Sequence, residues 1–125
     1  MIFKIANALV ALMFVISALL QLNDPDPVVW FCLYMLCAVC SVLAFTQINA
    51  WGFMLSLSML TMMWAMVLFS DYFLNPDPVD WVEVFSATSM KSSQTEIIRE
   101  IGGLLMCSAW TMFLVFRCKN NPKTT

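Results

Sequence analysis

The charged residues of this chain are separated by three long uncharged stretches. No Asp, Glu, Lys or Arg occurs in residues 5–23, 27–70 or 101–116, which are stretches of 19, 44 and 16 residues. The hydrocarbon core of a bilayer is about 30 Å thick, and crossing it takes about 20 helical residues at 1.5 Å each. The first stretch therefore predicts one membrane span, the second predicts two, and the third predicts one that begins slightly earlier, near Ile97.

The composition supports a membrane protein with one domain. The 125-residue chain is 62% hydrophobic and 11% charged, whereas a soluble domain is about 45–50% apolar and about a quarter charged. Only helices and closed barrels satisfy their backbone groups in lipid, and we predict an all-α fold, a four-helix transmembrane bundle. The predicted spans cover about residues 3–22, 28–46, 50–70 and 97–116, with a tight turn at 47–49.

The lysines and arginines near the span ends predict the orientation, because they are commoner in cytoplasmic loops. The predicted topology places four of them on one side and two on the other. The larger group is Lys4, Arg117, Lys119 and Lys123, and the smaller is Lys91 and Arg99. All eight acidic residues share the side of the smaller group. We therefore expect a multi-pass protein of a plasma or inner membrane with both termini, and the tail 117–125, in the cytoplasm.

The loop after the first span is rich in aspartate and proline. Residues 23–30 read Asn-Asp-Pro-Asp-Pro-Val-Val-Trp. A proline disfavours the α conformation in the residue before it, so Asp24 and Asp26 are predicted to be extended. Asp26 is then placed to cap the second helix, with Pro27 at the first helical position. Trp30 is expected at the membrane interface.

The second acidic loop, residues 71–96, is longer. Its Asn-Pro-Asp-Pro string at residues 75–78 resembles the first loop. We expect Asp77 to cap a short helix that presents Trp81, Val84 and Phe85 on one face and lies in the non-cytoplasmic interface rather than spanning the bilayer. Residues 86–95 are rich in Ser and Thr and are predicted to be a mobile connector.

The fourth span begins with an acidic and basic cluster. Glu96 and Glu100 are one helical turn apart, with Arg99 close to both. In one hypothesis the two glutamates join Asp24, Asp26 and Asn23 to bind a divalent cation such as Ca²⁺ or Mg²⁺, which prefers oxygen ligands. In the other, Arg99 pairs with one of the two aspartates and fastens the first hairpin to the fourth helix.

Small and sulfur-containing residues suggest further interpretations. Gly103, Cys107 and Thr111 form a small-residue stripe that allows another helix to approach closely. Thioether and thiolate side chains also recur at helical spacing. Such ligands suit copper(I), but we favour flexible packing as the explanation of this pattern. These residues are Met59, Met62, Met63, Met66, Cys37 and Cys40.

Several function classes lack the residues that they require. The chain has no histidine, which argues against bis-histidine haem, histidine-zinc catalysis and Ser-His-Asp hydrolysis. It has no glycine-rich phosphate loop, and its few basic residues make nucleic-acid binding improbable. We expect no cofactor and no enzymatic activity.

Several short motifs together resemble the transmembrane protein 220 family. The motif residues that we single out are Asn23, Pro25, Trp30, Arg99, Gly103 and Trp110. They belong to the strings Asn7-Ala8-Leu9, Gln21-Leu22-Asn23-Asp24-Pro25-Asp26, Val29-Trp30, Tyr34, Arg99-Glu100, Gly103-Leu104 and Ala109-Trp110. The resemblance implies a small multi-pass membrane protein and transfers no activity.

Two function classes follow from these observations. We expect first a non-enzymatic structural or accessory protein that associates with itself or with a larger membrane complex through its small-residue helix faces. The alternative is a protein that binds a cation or transports a small solute by means of its acidic non-cytoplasmic cap.

Overall fold

The computed structural model describes residues 1–24, 26–86 and 93–120 and confirms an all-helical fold. Its α-helices are α1 (Ile2–Leu20), α2 (Pro27–Phe45), α3 (Trp51–Leu74), α4 (Trp81–Ser86) and α5 (Ser93–Asn120), and a 3₁₀ turn, Gln21–Asn23, extends α1. Within these ranges four helices, all but α4, are long and apolar enough to cross a membrane.

The helices extend further than the uncharged stretches. Helix α3 continues past Asp71 to Leu74, and α5 continues through Arg117 to Asn120. The sequence predicts that residues 117–120 belong to a tail, but they are helical. A helix can extend beyond the hydrocarbon core into the headgroup layer because its backbone hydrogen bonds are all internal. Residues 87–92 of the predicted connector and 121–125 of the tail lie outside the described residues.

The bundle consists of two antiparallel pairs. Helix α1 packs along α2, α3 packs most extensively along α5, and α2 also contacts α5. Small residues are among the fully buried side chains at these contacts, including Cys37, Ser58 and Cys107. Their size allows the helix backbones to approach closely, which is how helices associate in lipid.

Polar side chains connect helices inside the bundle. Asn7 on α1 is fully buried and donates a 2.7 Å hydrogen bond to the backbone oxygen of Ser41 on α2. The Trp110 indole on α5 donates to Ser41 Oγ at 2.8 Å. Three helices thus meet at one serine.

The turn between α2 and α3 ends α2 with a backbone motif. Gln47 has a φ of 61°, and the amides of Gln47 and Ile48 donate to the carbonyls of Ala44 and Leu43, at 3.3 and 2.9 Å. This pair of bonds is the Schellman arrangement, which satisfies carbonyls that a helix end otherwise leaves unpaired. The predicted tight turn at 47–49 is confirmed.

Candidate functional site

A small pocket opens at one end of the bundle, where α1 ends and α2 and α5 begin. We call this end, which also carries the other acidic residues, the acidic end, and the cavity the acidic pocket. The acidic pocket has a volume of about 80 Å³ and is lined by Gln21, Asp24, Asp26, Trp30, Tyr34, Glu96, Arg99 and Glu100. One water molecule needs roughly 10–15 Å³, so the pocket has room for a small ion with several waters.

The loop between α1 and α2 supplies the two aspartates. Asp24 follows the 3₁₀ turn, is extended as predicted, with φ −83° and ψ 161°, and donates its amide to the backbone oxygen of Gln21 at 3.0 Å. Asp26 occupies the N-cap of α2, and Pro27 follows at the start of the helix. Pro25 lies outside the described residues.

The predicted capping bond from Asp26 is wrong. Its side chain makes no hydrogen bond to the helix, because its backbone (φ −115°, ψ 61°) departs from the extended conformation of a capping residue. The Asp26 carboxylate lines the acidic pocket instead.

Aromatic rings form the wall of the pocket on α2. The Trp30 ring is only 6% exposed and stacks on Trp64 of α3, with 5.3 Å between ring centroids. Tyr34, one turn further along α2, stacks on Phe14 of α1 at 6.2 Å. The Trp30 indole and the Glu100 side chain both line the pocket. Trp30 was expected at the membrane interface, and its ring is buried in the bundle against Tyr34 of α2 and Trp64 of α3.

The first turns of α5 supply the remaining charges. Glu96 lies in the first turn, and Arg99 and Glu100 follow within one turn. A helix N-terminus favours nearby carboxylates through its backbone dipole. One turn beyond Arg99, Gly103 lies directly against Tyr34, whose hydroxyl would collide with a Cβ at that position. Within the Arg-Glu-x-x-Gly string, Arg99 and Glu100 therefore line the pocket, and Gly103 packs against α2.

The charges of the acidic pocket do not balance. Four carboxylates and one guanidinium give a formal charge of −4 + 1 = −3. Nevertheless, the described part of the chain contains no group of three or more Asp, Glu, Cys or His side chains arranged to hold a metal ion. The carboxylates thus surround the cavity without forming a ready ligand set for a dehydrated divalent cation.

Sequence reasoning placed most of these residues together and missed others. The four predicted carboxylates and Arg99 all line the pocket, whereas Asn23 is exposed and does not. Gln21 and Tyr34 were not predicted as lining residues. Two sequence spacings could have identified these lining residues: the seven-residue spacing from Phe14 to Gln21 and the one-turn spacing from Trp30 to Tyr34. Trp110 lies on the last half of α5 and serves the Ser41 contact instead.

The second acidic loop is organised apart from the pocket. Asp80, rather than the predicted Asp77, caps α4, because its Oδ1 accepts from the amides of Val82 and Glu83 at 2.9 and 3.3 Å. Gln94 on α5 donates to the backbone oxygen of Asn75 at 2.6 Å. This bond ties the end of α3 to the beginning of α5.

The small-residue stripe of α5 is used within the chain. Cys107 and Thr111 are fully buried. Cys107 and Cys37 of α2 belong to one buried cluster, and Gly103 faces Tyr34 of the same helix. The face of α5 that carries this stripe therefore already packs against α2 within the chain. The stripe by itself then gives no reason to expect self-association.

The methionines and cysteines of the copper hypothesis lie in different surroundings. Cys37 and Cys40 are fully buried inside the bundle. The four α3 methionines are 43–66% exposed on its outer surface, and these are Met59, Met62, Met63 and Met66. The structure does not bring the two sets together into one thiolate and thioether site.

The fold and the pocket define a class: a four-span, all-helical integral membrane protein with a polar cavity at one end. The family model described as transmembrane family 220, helix, matches residues 13–116. The chain belongs to this family, as its motifs indicated, and the matched range contains every residue that lines the acidic pocket. No curated protein and no solved structure matches the chain.

Proposed function

We propose that this protein is a non-enzymatic membrane protein that binds a small cation in its acidic pocket. The observation that carries the proposal is the convergence of four carboxylates from the first loop and α5 on one cavity that contains a single cationic side chain. The aspartates and glutamates are separated by about 70 residues in sequence, so their meeting depends on the fold.

The charge of the pocket favours binding over a purely structural clamp. An ion pair between Arg99 and one aspartate would fasten the first loop to α5, and it would use one carboxylate. The three remaining negative charges repel one another in a cavity partly shielded from water, where charge interactions are stronger than in solution. A bound cation relieves that repulsion. The clamp and the cation site are therefore compatible, and the excess charge supports the second.

The arrangement of the carboxylates favours a cation that carries its own hydrogen-bond donors, either bound water or N–H groups. A dehydrated Ca²⁺ or Mg²⁺ needs several oxygens converging at about 2.0–2.6 Å, and no such set is formed in the described residues. A hydrated divalent ion or a small protonated amine can instead reach separated carboxylates through hydrogen bonds, which are strong when one partner is charged.

Thermal unfolding in a non-ionic detergent, followed by tryptophan fluorescence, tests the proposal. Protein would be titrated with Ca²⁺, Mg²⁺ and methylammonium at constant ionic strength. A ligand that binds only the folded state adds about 1.4 kcal/mol at ten times its dissociation constant. We expect at least one of the three cations to raise the unfolding temperature in a saturable way.

Two variants distinguish the pocket from general surface charge. Asp26→Asn removes a carboxylate of the pocket, and Asp77→Asn removes an exposed carboxylate of the same end outside the pocket. The cation effect should be lost in the first and retained in the second. Equal responses in the two variants, or no saturable response in the unmodified protein, would contradict cation binding.

A second candidate is association with a further copy of the chain or another membrane protein. It is supported by the four α3 methionines on the outer surface, because flexible thioethers adapt to varied partner helices. A photo-crosslinking residue at Met63 should then capture a partner more efficiently than one at the exposed Leu12 of α1. Equal capture at the two positions would argue for lipid contact alone.

We also propose that both termini face the cytoplasm and that the protein resides in a plasma or inner membrane. The orientation is supported by the excess of lysine and arginine at the end of the bundle where α1 begins and α5 ends.

A further inference from the structure

A second cavity lies at the opposite end of the bundle. It has a volume of about 300 Å³ and is lined by Phe113, Phe116, Arg117 and Asn120, all in the last two turns of α5. We call it the basic-end groove. Its walls combine two exposed aromatic rings with one cationic and one amide side chain.

Arg117 is held in place by an aromatic contact. Its guanidinium carbon lies 4.1 Å from the centroid of the Phe3 ring on α1, and Phe3 also contacts the Phe113 ring at 6.2 Å. A guanidinium that stacks through its face keeps its N–H edges available for paired hydrogen bonds to a carboxylate or phosphate. The groove thus contains a positioned donor of the type that recognises such anions.

No acidic side chain of the chain is near this end to neutralise it. All eight acidic residues lie between positions 24 and 100, whereas Lys4, Arg117 and Lys119 belong to the opposite end of the helices. The backbone dipoles largely cancel there, because α1 and α3 begin at this end while α2 and α5 end at it. No acidic side chain of the described residues offsets this positive charge, so an anion from the surroundings can bind there.

The position of the groove relative to the bilayer identifies the source of such an anion. Helix α5 has 28 residues and is about 42 Å long, whereas the hydrocarbon core is about 30 Å thick. The last turns of α5 therefore reach the headgroup layer when the middle of the helix lies in the core. At that depth the phosphates of the surrounding lipids are the nearest anions.

We propose that the basic-end groove binds the headgroup of an anionic phospholipid. Arg117 binds the phosphate through paired N–H groups, the Asn120 amide adds a hydrogen bond, and Phe113 and Phe116 pack against the glycerol and upper acyl chains. The site is independent of the acidic pocket, and a lipid bound there would anchor the end of α5 against α1 through Phe3.

Native mass spectrometry of the detergent-solubilised protein tests this site. The unmodified protein would be titrated with dioleoylphosphatidylglycerol and, separately, with dioleoylphosphatidylcholine. Both lipids offer a phosphate to Arg117, but the choline ammonium brings a positive charge close to the basic residues of this end, so we expect about tenfold tighter binding of the anionic lipid. Equal binding of the two lipids to the unmodified protein would overturn the proposal.

Matched variants locate the binding. Arg117→Gln should weaken phosphatidylglycerol binding about tenfold or more. Lys4→Gln removes the same charge from the same end, but Lys4 lies over the Phe45 ring, outside the groove, so its effect should be several times smaller. Equal losses would show diffuse charge attraction and overturn the site. So would competition by soluble glycerol phosphate at the same concentration as the lipid, because the phenylalanine walls would then contribute nothing.

Discussion

Tyr34 can approach α5 because position 103 has no side chain. A Cβ built at Gly103 would collide with the Tyr34 hydroxyl, whereas one at the neighbouring Gly102 would meet nothing within 4 Å. Gly103→Ala should therefore destabilise the protein by about 1–3 kcal/mol, the usual cost of overpacking. Gly102→Ala should be neutral or stabilising by up to about 1 kcal/mol, because alanine favours a helix over glycine. Urea or thermal unfolding in detergent measures both.

The collision can be tested separately from the backbone effect. Tyr34→Phe removes the hydroxyl that meets the new Cβ. The double variant with Gly103→Ala should recover most of the lost stability, so that the two changes are strongly non-additive. If Gly103→Ala behaves like Gly102→Ala, the close approach of Tyr34 to α5 is not what requires the glycine.

Individual side-chain roles were only partly predictable from the sequence. The first loop correctly predicted an extended Asp24 and the N-cap position of Asp26, whereas the extended backbone and the capping bond predicted for Asp26 are wrong. The direction of the Asp26 carboxylate depends on the backbone angles that the fold imposes at that residue. Whether Asp77 or Asp80 caps α4 likewise depends on the residue at which the short helix begins. The sequence does not determine that residue, because either aspartate could cap a helix that begins after it.

Two buried serines hydrogen-bond α3 to α5. Ser58 Oγ donates to the backbone oxygen of Ser108 at 3.0 Å, Ser108 Oγ reaches the backbone oxygen of Ser58 at 3.1 Å, and the hydroxyls are 3.2 Å apart. Both residues are buried. Replacing each by alanine, singly and together, should give a coupling energy of about 0.5–1.5 kcal/mol, in the range found for hydrogen bonds between membrane helices.

Ser56 provides the matched control for this cycle. It is exposed, lies on the same helix, and donates within its own turn to the Gly52 carbonyl at 3.0 Å. Ser56→Ala should therefore add to Ser108→Ala without coupling. A coupling energy near zero for the Ser58 and Ser108 pair, measured from unfolding in detergent, would mean that apolar packing alone joins the two helices.

At the level of elements, the sequence predicted which segments form helices better than where they end. The spans follow from uncharged stretches whose length must match the bilayer, which is a strong constraint. The ends of α3 and α5 lie beyond that constraint, because polar residues such as Asp71 and Asn120 are tolerated once the helix reaches water. The partner of the small-residue stripe could not be predicted, since a close-packing face suits any neighbouring helix.

The two ends of the molecule carry opposite charge and contain different cavities. The acidic pocket is lined by the end of α1, the first loop, α2 and α5, and the basic-end groove by the last turns of α5 alone. The sequence could predict the acidic cluster, because its charges are few and lie beside span ends. It could not predict the groove, which depends on where Phe3 of α1 meets Arg117. Helix α5 contributes to both cavities.

The segregation of charge also predicts how the whole molecule inserts. Of the described residues, Lys4, Arg117 and Lys119 lie at one end and Arg99 lies at the acidic end. The topology predicted from the sequence adds Lys123 to the first group and Lys91 to the second, and the more basic side is retained in the cytoplasm. In intact cells an impermeant maleimide should therefore label Asp77→Cys before lysis and Lys119→Cys only after lysis. The native protein, treated in parallel, gives the background from its own five cysteines.

The cause of this orientation can be tested by changing the balance of charge. In the topology predicted from the sequence, replacing Lys4, Lys119 and Lys123 by Gln leaves one basic residue on that side against two on the other. The bias should then weaken or reverse, and a fraction of the Asp77→Cys molecules should become inaccessible in intact cells. Replacing the same number of acidic residues, Asp71, Asp77 and Asp80, should leave the accessibility of Lys119→Cys unchanged, because acidic residues contribute little to orientation. If the acidic set changes the labelling and the basic set does not, the orientation is not determined by the lysine and arginine bias.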